Sequence, residues 1–189
     1  MDTLSLHDPR LMNLLKQGGV GVLPTDTVYG LVCDASNTDA VEKLYRLKSR
    51  EKKPGVLVAA DVAQVSSFGF PLHAVEEARR FWPGVSVVLP LGEDMSYLHQ
   101  GVEALAVRVV ADETLQMFLQ KTGPLLTSSA NLPEESPANT LEEARAYFGV
   151  AVDFYVDGGD LSGRQSSTLI RVVNGKVEVL RQGSIRVQG

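Results

Sequence analysis

Cysteine and histidine are scarce in this sequence. Its 189 residues include one cysteine, Cys33, and three histidines. A single cysteine cannot form an internal disulfide, and the histidines are not spaced around it as metal ligands. We therefore expect no metal ion bound by protein side chains. Because no histidine or carboxylate is arranged to activate its thiol, Cys33 is predicted to be a small buried apolar residue rather than a nucleophile.

Long apolar runs and an excess of positive charge are also missing. No segment approaches the roughly 18 consecutive apolar residues of a membrane span, and residues 1–3 lack the basic and apolar regions of a signal peptide. We therefore expect a soluble cytoplasmic protein with no membrane partner. The formal net charge of −5 argues against a protein that coats nucleic acid by charge alone, so any anion site has to be local.

One dense cluster of cations contrasts with this acidic balance. Five of the eight residues from 46 to 53 are basic, and Glu51 interrupts them. The basic residues are Arg46, Lys48, Arg50, Lys52 and Lys53. They follow a predicted helix, whose negative dipole end favours cations, so the run is either a solvated helix end or an anion site. Pro54 stiffens the exit of the run and favours the anion site.

Helix and strand signals alternate along the chain. Thr38 is predicted to cap one helix, and Thr140 forms a capping box with Glu143 at the start of another. Apolar runs between the helices predict strands, and Asn174-Gly175 predicts a hairpin near the end of the sequence. This alternation indicates an α/β fold, with residues 1–189 forming a single domain around a mixed β-sheet flanked by helices.

Hydroxyl side chains cluster at three predicted strand ends. Residues 24–31 form a polar loop after one strand, residues 127–131 leave a second strand, and residues 166–168 enter a third. Such hydroxyls either bond the backbone of their own turns or face a ligand, and the two clusters at residues 127–131 and 166–168 together suggest one shared site. Arg108 lies within an apolar strand, on the face opposite Leu105 and Val107, and therefore requires a partner.

An ordered set of motifs contains these residues. The motifs are Pro24-Thr25-Asp26-Thr27-Val28-Tyr29-Gly30-Leu31, Lys48-Ser49-Arg50 with Lys53-Pro54, Trp82-Pro83-Gly84, Val107-Arg108-Val109, Ser129-Ala130-Asn131, Ser166-Ser167-Thr168 and Arg181-Gln182-Gly183. In this order, over residues 10–186, they resemble the TsaC/YrdC family of threonylcarbamoyl-AMP synthases. The ordered set is far more specific than any single motif.

The resemblance implies a YrdC-like twisted sheet with a basic concave active site. It implies a nucleotidyltransferase that forms threonylcarbamoyl-AMP and pyrophosphate from L-threonine, bicarbonate or CO2, and ATP. Magnesium would accompany the ATP. The product would serve the threonylcarbamoyladenosine modification of tRNA beside the anticodon, through a separate TsaD-type tRNA threonylcarbamoyl transferase.

The resemblance also assigns site residues by position. The threonine-binding residues would be Thr27, Val58, Arg108, Thr127 and Ser167, with Val58 acting through its backbone. The ATP-binding residues would be Arg50, Lys53, Ser129, Asn131, Ser136 and Arg181. Lys48 and Arg50 would be catalytic, because they would offset the repulsion between a carbamate and a triphosphate.

The sequence departs from the family pattern in a few places. Ala104 stands where threonine is common, and both the stretch from Arg50 to Pro54 and the loop at Ser136-Pro137 are a residue shorter. With no second domain after Gly189, the chain resembles the short form of the synthase. Two other functions stay open: a non-catalytic RNA-binding YrdC-like module, with weak RNA binding, and a carbamoyl-adenylate-forming relative, which is expected in longer, cysteine-rich chains.

The two interpretations of the basic run predict different outcomes for two neighbouring substitutions. In the anion-site interpretation, Arg50→Met loses on the order of a hundredfold in rate, because a preorganised donor at developing charge is removed, whereas Lys52→Met keeps the rate. We expect this result, measured as adenylate formed per minute at matched circular dichroism. Equal, mild effects of both substitutions would make the run a solvated helix end.

Overall fold

The computed structural model describes residues 2–49 and 51–188, and within them ten strands form one sheet. The strands are β1 (Thr3–Leu4), β2 (Gly21–Pro24), β3 (Tyr29–Asp34), β4 (Val56–Ala59), β5 (Ser86–Pro90), β6 (Ala104–Val109), β7 (Leu125–Ser129), β8 (Phe154–Val156), β9 (Leu169–Val173) and β10 (Lys176–Arg181). Their order is β1-β8-β2-β3-β7-β4-β6-β5-β9-β10. β4 runs parallel to β6 and antiparallel to β7, so the sheet is mixed, as predicted.

Helices flank the sheet, which confirms the predicted α/β architecture. They are α1 (Pro9–Lys16), α2 (Thr38–Leu47), α3 (Val62–Ser67), α4 (Leu72–Ala78), α5 (Ser96–His99), α6 (Glu113–Thr122) and α7 (Leu141–Phe148), with single 3-10 turns at Arg79–Phe81 and Glu93–Met95. Across residues 2–49 and 51–188, no helix is long and apolar enough to cross a membrane.

Two predicted helix caps need correction. Asn37, not Thr38, caps α2: its Oδ1 accepts a hydrogen bond from the backbone N–H of Ala40 at 3.0 Å, and Thr38 is the first helical residue. At α7 only half of the predicted capping box forms. The Thr140 hydroxyl accepts from the Glu143 N–H, but the Glu143 carboxylate accepts from the N–H of Asn139, one residue before the cap.

The predicted loop at residues 24–31 is shorter in the structure. β2 ends at Pro24 and β3 begins at Tyr29, and the two strands pair antiparallel, so only residues 25–28 form the connecting turn, called here the 25–28 turn. The strand that begins at Tyr29 continues through the buried residues Leu31, Val32 and Cys33. This strand was not among those predicted from the sequence, because the polar motif before the apolar run hid where it begins.

Apolar residues on the two faces of the sheet pack against different helices. α1 and α6 cover one face, where Leu11, Leu15 and Leu119 belong to a buried cluster with Val58 of β4. α2, α4 and α7 contribute to a larger cluster on the other face. Along β6, Leu105, Val107 and Val109 belong to the larger cluster, as predicted, and this alternation turns Arg108 to the opposite face.

The corrected cap of α2 has a measurable consequence for stability. Asn37→Ala removes the side-chain acceptor for the N–H of Ala40 and should lower the free energy of unfolding by about 1 kcal/mol. Thr38→Ala, in the first turn of the helix, should change it by less than about 0.5 kcal/mol. Urea unfolding of both variants measures the difference, and a larger loss from Thr38→Ala would restore the cap predicted from the sequence.

Candidate functional site

The hydroxyl-rich strand ends at residues 127–131 and 166–168 meet at one cavity, as predicted, and the 25–28 turn joins them there. Its volume is about 200 Å³, and it is called here the hydroxyl cavity. Its lining consists of Thr25, Thr27, Val28, Tyr29, Gly30, Pro54, Gly55, Val56, Ala106, Arg108, Thr127, Ser128, Ser129, Ser166, Ser167, Leu169 and Arg181. Strand pairing explains the convergence. β3 pairs with both β2 and β7, and β4 begins beside β7, which brings residues far apart in sequence to one edge.

Both threonines of the 25–28 turn line the cavity, but only the Thr25 hydroxyl bonds the backbone of the turn. The Thr25 hydroxyl donates to the carbonyl of Val28 at 2.7 Å and accepts from the N–H of Thr27 at 3.2 Å. The two threonine hydroxyls are 3.0 Å apart. Because the proton of Thr25 points to Val28, Thr27 donates in this contact and keeps its lone pairs for a ligand. Each of the two predicted roles of such hydroxyls is therefore seen in one residue: Thr25 bonds the backbone of its own turn, and Thr27 is left to bond a ligand.

Arg108 has the partner that its position in an apolar strand required. Its Nη2 lies 2.9 Å from Oδ1 of Asp26, and the two side chains are 4% and 5% exposed. The contact is an ion pair rather than a directed hydrogen bond: among the described residues, neither Oδ1 of Asp26 nor Nε of Arg108 has a hydrogen-bond partner. Arg108 thus presents an unsatisfied buried donor in the wall of the hydroxyl cavity.

The opposite wall of the cavity is built around Ser167. The Ser167 hydroxyl lies 2.8 Å from that of Ser86, and its carbonyl accepts two hydrogen bonds from Arg181, at 2.9 and 3.2 Å. Gly183 permits this approach, because a Cβ there would lie 2.1 Å from the Ser166 carbonyl oxygen. Steric contact thus explains the glycine of the Arg181-Gln182-Gly183 motif.

Lys48 is buried, which a solvated helix end, one of the two interpretations of the cation run, would not require. It follows the last residue of α2 and is 2% exposed. Its ammonium donates to the carbonyl of Ser129 at 2.8 Å, to the carbonyl of Asn131, and to Oδ1 of Asn131 at 2.9 Å. These bonds use the three donors of an ammonium group and tie the end of α2 to the end of β7.

The side chain of Asn131 is also occupied by protein contacts. Its Oδ1 accepts from the Ser129 hydroxyl at 2.6 Å in addition to Lys48. Its Nδ2 donates to the carbonyls of Leu132 and Glu135, both at 2.8 Å. The amide group therefore has a partner for each of its two N–H bonds. Lys48 and Asn131 together fix residues 129–135, which we call the 129–135 segment.

A second cavity of about 950 Å³ borders this segment and is called here the larger cavity. Its lining is Glu42, Tyr45, Arg46, Lys48, Ser49, Glu51, Lys53, Ser96, Tyr97, Gln100, Asn131, Pro133 and Glu134. Glutamates and cations both line this wall, so its described surface has mixed charge, and the basic concave site that the resemblance implied stays a prediction.

The structure thus divides the predicted site residues into groups. The hydroxyl cavity contains Thr27, Arg108, Thr127, Ser129, Ser167 and Arg181, and the larger cavity contains Lys48, Lys53 and Asn131. Within the described lining, Val58 and Ser136 belong to neither cavity. Val58 packs in the core beside Arg108 of β6, and the Ser136 carbonyl accepts from the hydroxyl of Tyr147. Arg50 lies outside the described residues.

Sequence reasoning missed three contributors to the site. Asp26 forms an ion pair with Arg108, and the Ser86 hydroxyl bonds that of Ser167. Sequence spacing does not reveal these contacts, because the partners are far apart in the chain. Tyr29 anchors the glycine-rich loop after β8: its hydroxyl accepts from the N–H of Gly158 at 2.8 Å and donates to the carbonyl of Gly159 at 2.9 Å. Burial raises the pKa of the Tyr29 hydroxyl, which therefore stays protonated as the donor to Gly159.

Cys33 takes the apolar role that was predicted for it. It is fully buried in the larger core cluster, and burial raises the pKa of its thiol, so the thiolate is strongly disfavoured. Across the residues that the structure describes, no group of three or more histidine, cysteine, aspartate or glutamate side chains is placed to hold a metal ion.

Comparisons with known proteins agree with one another. The Sua5/YciO/YrdC family model, described as "Telomere recombination", matches residues 13–183. A threonylcarbamoyl-AMP synthase of Halorhodospira halophila is 38% identical over 163 residues, which cover 83% of this chain and 85% of that protein.

Solved structures extend the likeness to the fold. P. abyssi Sua5 complexed with L-threonine is 26% identical, with a TM-score of 0.81 over 92% of this chain. The chain spans 53% of that Sua5 chain, about half its length. E. coli YciO has a TM-score of 0.79 at 23% identity, with 92% of this chain and 87% of that chain covered, and at this identity it speaks for the fold alone.

The buried ammonium of Lys48 predicts a large loss of stability on its removal. Lys48→Met removes the ammonium and leaves its three oxygen acceptors without that donor. We expect a loss of about 3 kcal/mol in the free energy of unfolding. Lys53→Met, at an exposed position, should change it by less than about 0.5 kcal/mol. Urea unfolding measures both, and similar small losses would contradict the buried network.

Proposed function

The chain belongs to the Sua5/YciO/YrdC family, and from that membership we propose that it is an L-threonylcarbamoyladenylate synthase. It is an enzyme of the nucleotidyltransferase type, which forms threonylcarbamoyl-AMP and pyrophosphate from L-threonine, bicarbonate or CO2, and ATP. The observation that carries the proposal is the hydroxyl cavity, where a buried guanidinium and several hydroxyls surround a space suited to one small polar molecule. The relationship to a threonylcarbamoyl-AMP synthase supports the same activity.

Threonine fits the chemistry of the hydroxyl cavity. The buried guanidinium of Arg108 has an unsatisfied Nε–H, which suits a carboxylate acceptor. Thr27 offers hydroxyl lone pairs to an amine or a hydroxyl, and Thr127 and Ser167 add further hydroxyls on the other walls. The Sua5 structure with L-threonine, which shares the fold, supports this choice of amino acid. The backbone contact of Val58 stays a proposal from the resemblance, since Val56 rather than Val58 belongs to the described lining of the cavity.

ATP binds beside the threonine in this proposal. Ser129 and Arg181 line the hydroxyl cavity, while Lys53 lines the larger cavity across the 129–135 segment. The triphosphate would therefore lie along that segment, with its α-phosphate toward the threonine. Arg50 and Ser136 remain proposed ATP ligands from the resemblance. The occupied side chains of Lys48 and Asn131 indicate that these two residues shape the nucleotide site and contact ATP less than expected.

The proposed reaction joins three partners through two bond-forming steps. The threonine amine adds to CO2 and loses a proton, which gives a carbamate. A carbamate oxygen then attacks the α-phosphorus of ATP, and the bond from that phosphorus to the bridging oxygen breaks, releasing pyrophosphate. Both reactants of the second step are anions, so holding them in line beside fixed cations lowers the barrier. Arg108 holds the threonine carboxylate and Arg181 lies on the nucleotide side.

In the described part of the chain no group of three or more candidate side chains converges on a metal position, so the Mg²⁺ proposed to accompany ATP would rely mainly on the substrate for its ligands. A Mg²⁺ ion that accompanies ATP is usually held by the substrate phosphates and several waters. No step above depends on protein ligands to a metal.

The proposed product implies an acceptor system. A mixed anhydride of a carbamate and AMP is labile, so a second enzyme has to transfer the threonylcarbamoyl group. In the proposal this is a TsaD-type tRNA threonylcarbamoyl transferase acting on the adenosine beside the anticodon. Weak binding of RNA by this chain itself remains a prediction, and RNA affinity that persists at saturating ATP would favour the RNA-binding alternative.

Substrate dependence tests the proposed function. Pyrophosphate release from ATP should require both an amino acid and bicarbonate, and threonine should clearly outperform alanine, which lacks the hydroxyl that the cavity can bond. Mass spectrometry should detect threonylcarbamoyl-AMP in the complete mixture alone. Equal pyrophosphate release without any amino acid would leave a simple ATPase in place of the synthase.

A further inference from the structure

Asp26 contacts two parts of the chain with one carboxylate. Its Oδ1 lies 2.9 Å from Nη2 of Arg108 on β6, and its Oδ2 accepts a hydrogen bond from the N–H of Ala111 at 3.1 Å, just beyond that strand. Its side chain is 5% exposed. The carboxylate therefore fastens the 25–28 turn to the end of β6. Asp26 and Ala111 are 85 positions apart in the sequence.

Asp26 lies behind the site rather than in it. Its neighbours Thr25 and Thr27 line the hydroxyl cavity, and so does Arg108, whereas Asp26 does not belong to the described lining. A ligand in the cavity would meet the guanidinium and not the carboxylate. Asp26 thus acts on a ligand through Arg108 and through the turn that carries Thr27.

The ion pair leaves part of the guanidinium for a ligand. An arginine side chain has five N–H donors in a planar fork, and Asp26 engages Nη2. Nε remains buried without a hydrogen-bond partner in the described part of the chain. A buried donor that lacks a partner is costly, and a carboxylate is the acceptor that a guanidinium matches best.

We propose that Asp26 is a positioning residue that holds the Arg108 guanidinium with Nε facing the hydroxyl cavity, and so selects a substrate that carries a carboxylate. This inference rests on the proposed function. A buried cation without its counter-charge would turn toward solvent or toward the nucleotide phosphates nearby. With Asp26 in place, the fork is already oriented when the amino acid arrives, and less conformational freedom is lost on binding.

The alternative is that the ion pair is merely structural. Buried ion pairs are weak evidence for stability, and loss of one partner destabilises a fold whether or not a ligand is involved. If the role is structural, loss of Asp26 should weaken the binding of threonine and ATP to a similar degree, or leave both unchanged. If Asp26 is a positioning residue, its loss should weaken threonine binding selectively, and this effect should disappear in a variant that lacks Arg108.

A double-mutant cycle separates these roles, with calorimetry of L-threonine and of ATP binding to the full chain. Asp26→Asn should lose about tenfold to a hundredfold in threonine affinity, as expected for a disturbed charge-assisted bond, while ATP affinity stays close to wild type. Arg108→Leu should lose a similar factor. The double variant Asp26→Asn/Arg108→Leu should bind threonine no more weakly than Arg108→Leu alone, because Asp26 then has nothing to position.

Asp112→Ala is the matched control. It removes a carboxylate from the adjoining segment, where Asp112 accepts from the N–H of Leu115 at 2.8 Å and caps α6. This variant should unfold at lower urea while keeping its threonine affinity. If Asp26→Asn does not fold, Asp26→Glu is measured instead; it keeps the charge but displaces the guanidinium, and it should show the same selective loss.

The outcomes are distinct. Wild-type chain that binds no threonine would overturn the proposed function and this inference with it. Threonine binding by the wild type that Asp26→Asn leaves unchanged, or that falls in step with ATP binding, overturns the inference alone. Additive losses in the double variant also contradict it, as would failure of both Asp26 variants to fold. A selective loss that vanishes without Arg108 supports it.

Discussion

A buried ammonium group is the contact on which the arrangement of the site depends. Lys48, at the end of α2, donates three hydrogen bonds to Ser129 and Asn131 at the end of β7. A cation buried to this degree is tolerated only when its donors are satisfied, and here the acceptors are those of the strand end itself. The contact therefore fixes the helix that borders the larger cavity relative to the strand that borders the hydroxyl cavity.

The motif residues consequently fall into two classes that chemistry alone does not distinguish. Lys48, Asn131 and Asp26 spend their polar groups on other protein groups, whereas Thr27, Ser129 and Ser167 line the cavity itself. All of these are polar residues of the motifs that resemble the family, and all could be expected to contact a substrate. The difference lies in whether the side chain lines the hydroxyl cavity, which depends on strand order rather than on residue type. The proposed reaction brings two anions close together, and both classes serve it, because a loosely held cation would follow the stronger charge.

Much of the fold could be predicted from the sequence, since periodicity and turn chemistry are local properties. Examples are the Asn174-Gly175 hairpin, the placement of Leu105 and Arg108 on opposite faces of β6, and the apolar role of Cys33. The misplaced cap at Thr38 shows the limit of local signals, because Asn37 beside it is an equally good acceptor. The convergence of the hydroxyl clusters was also predictable. The partners of Arg108 and Lys48 were not, because the contacts with Asp26 and Asn131 cross 82 and 83 positions and depend on strand order.

The hairpin of β9 and β10 has a consequence for the timing of site assembly. β10 is the margin of the sheet, and through Arg181 it delivers the last residue in the chain that lines the hydroxyl cavity, whereas Thr25 is the first. A chain emerging from the ribosome exposes its N-terminal part first, and domains generally fold as units. A nascent chain with residues 25–169 outside the exit tunnel has the greater part of the cavity wall but lacks its closing arginine. The wall of the hydroxyl cavity is thus complete only when the final hairpin has joined the edge of the sheet.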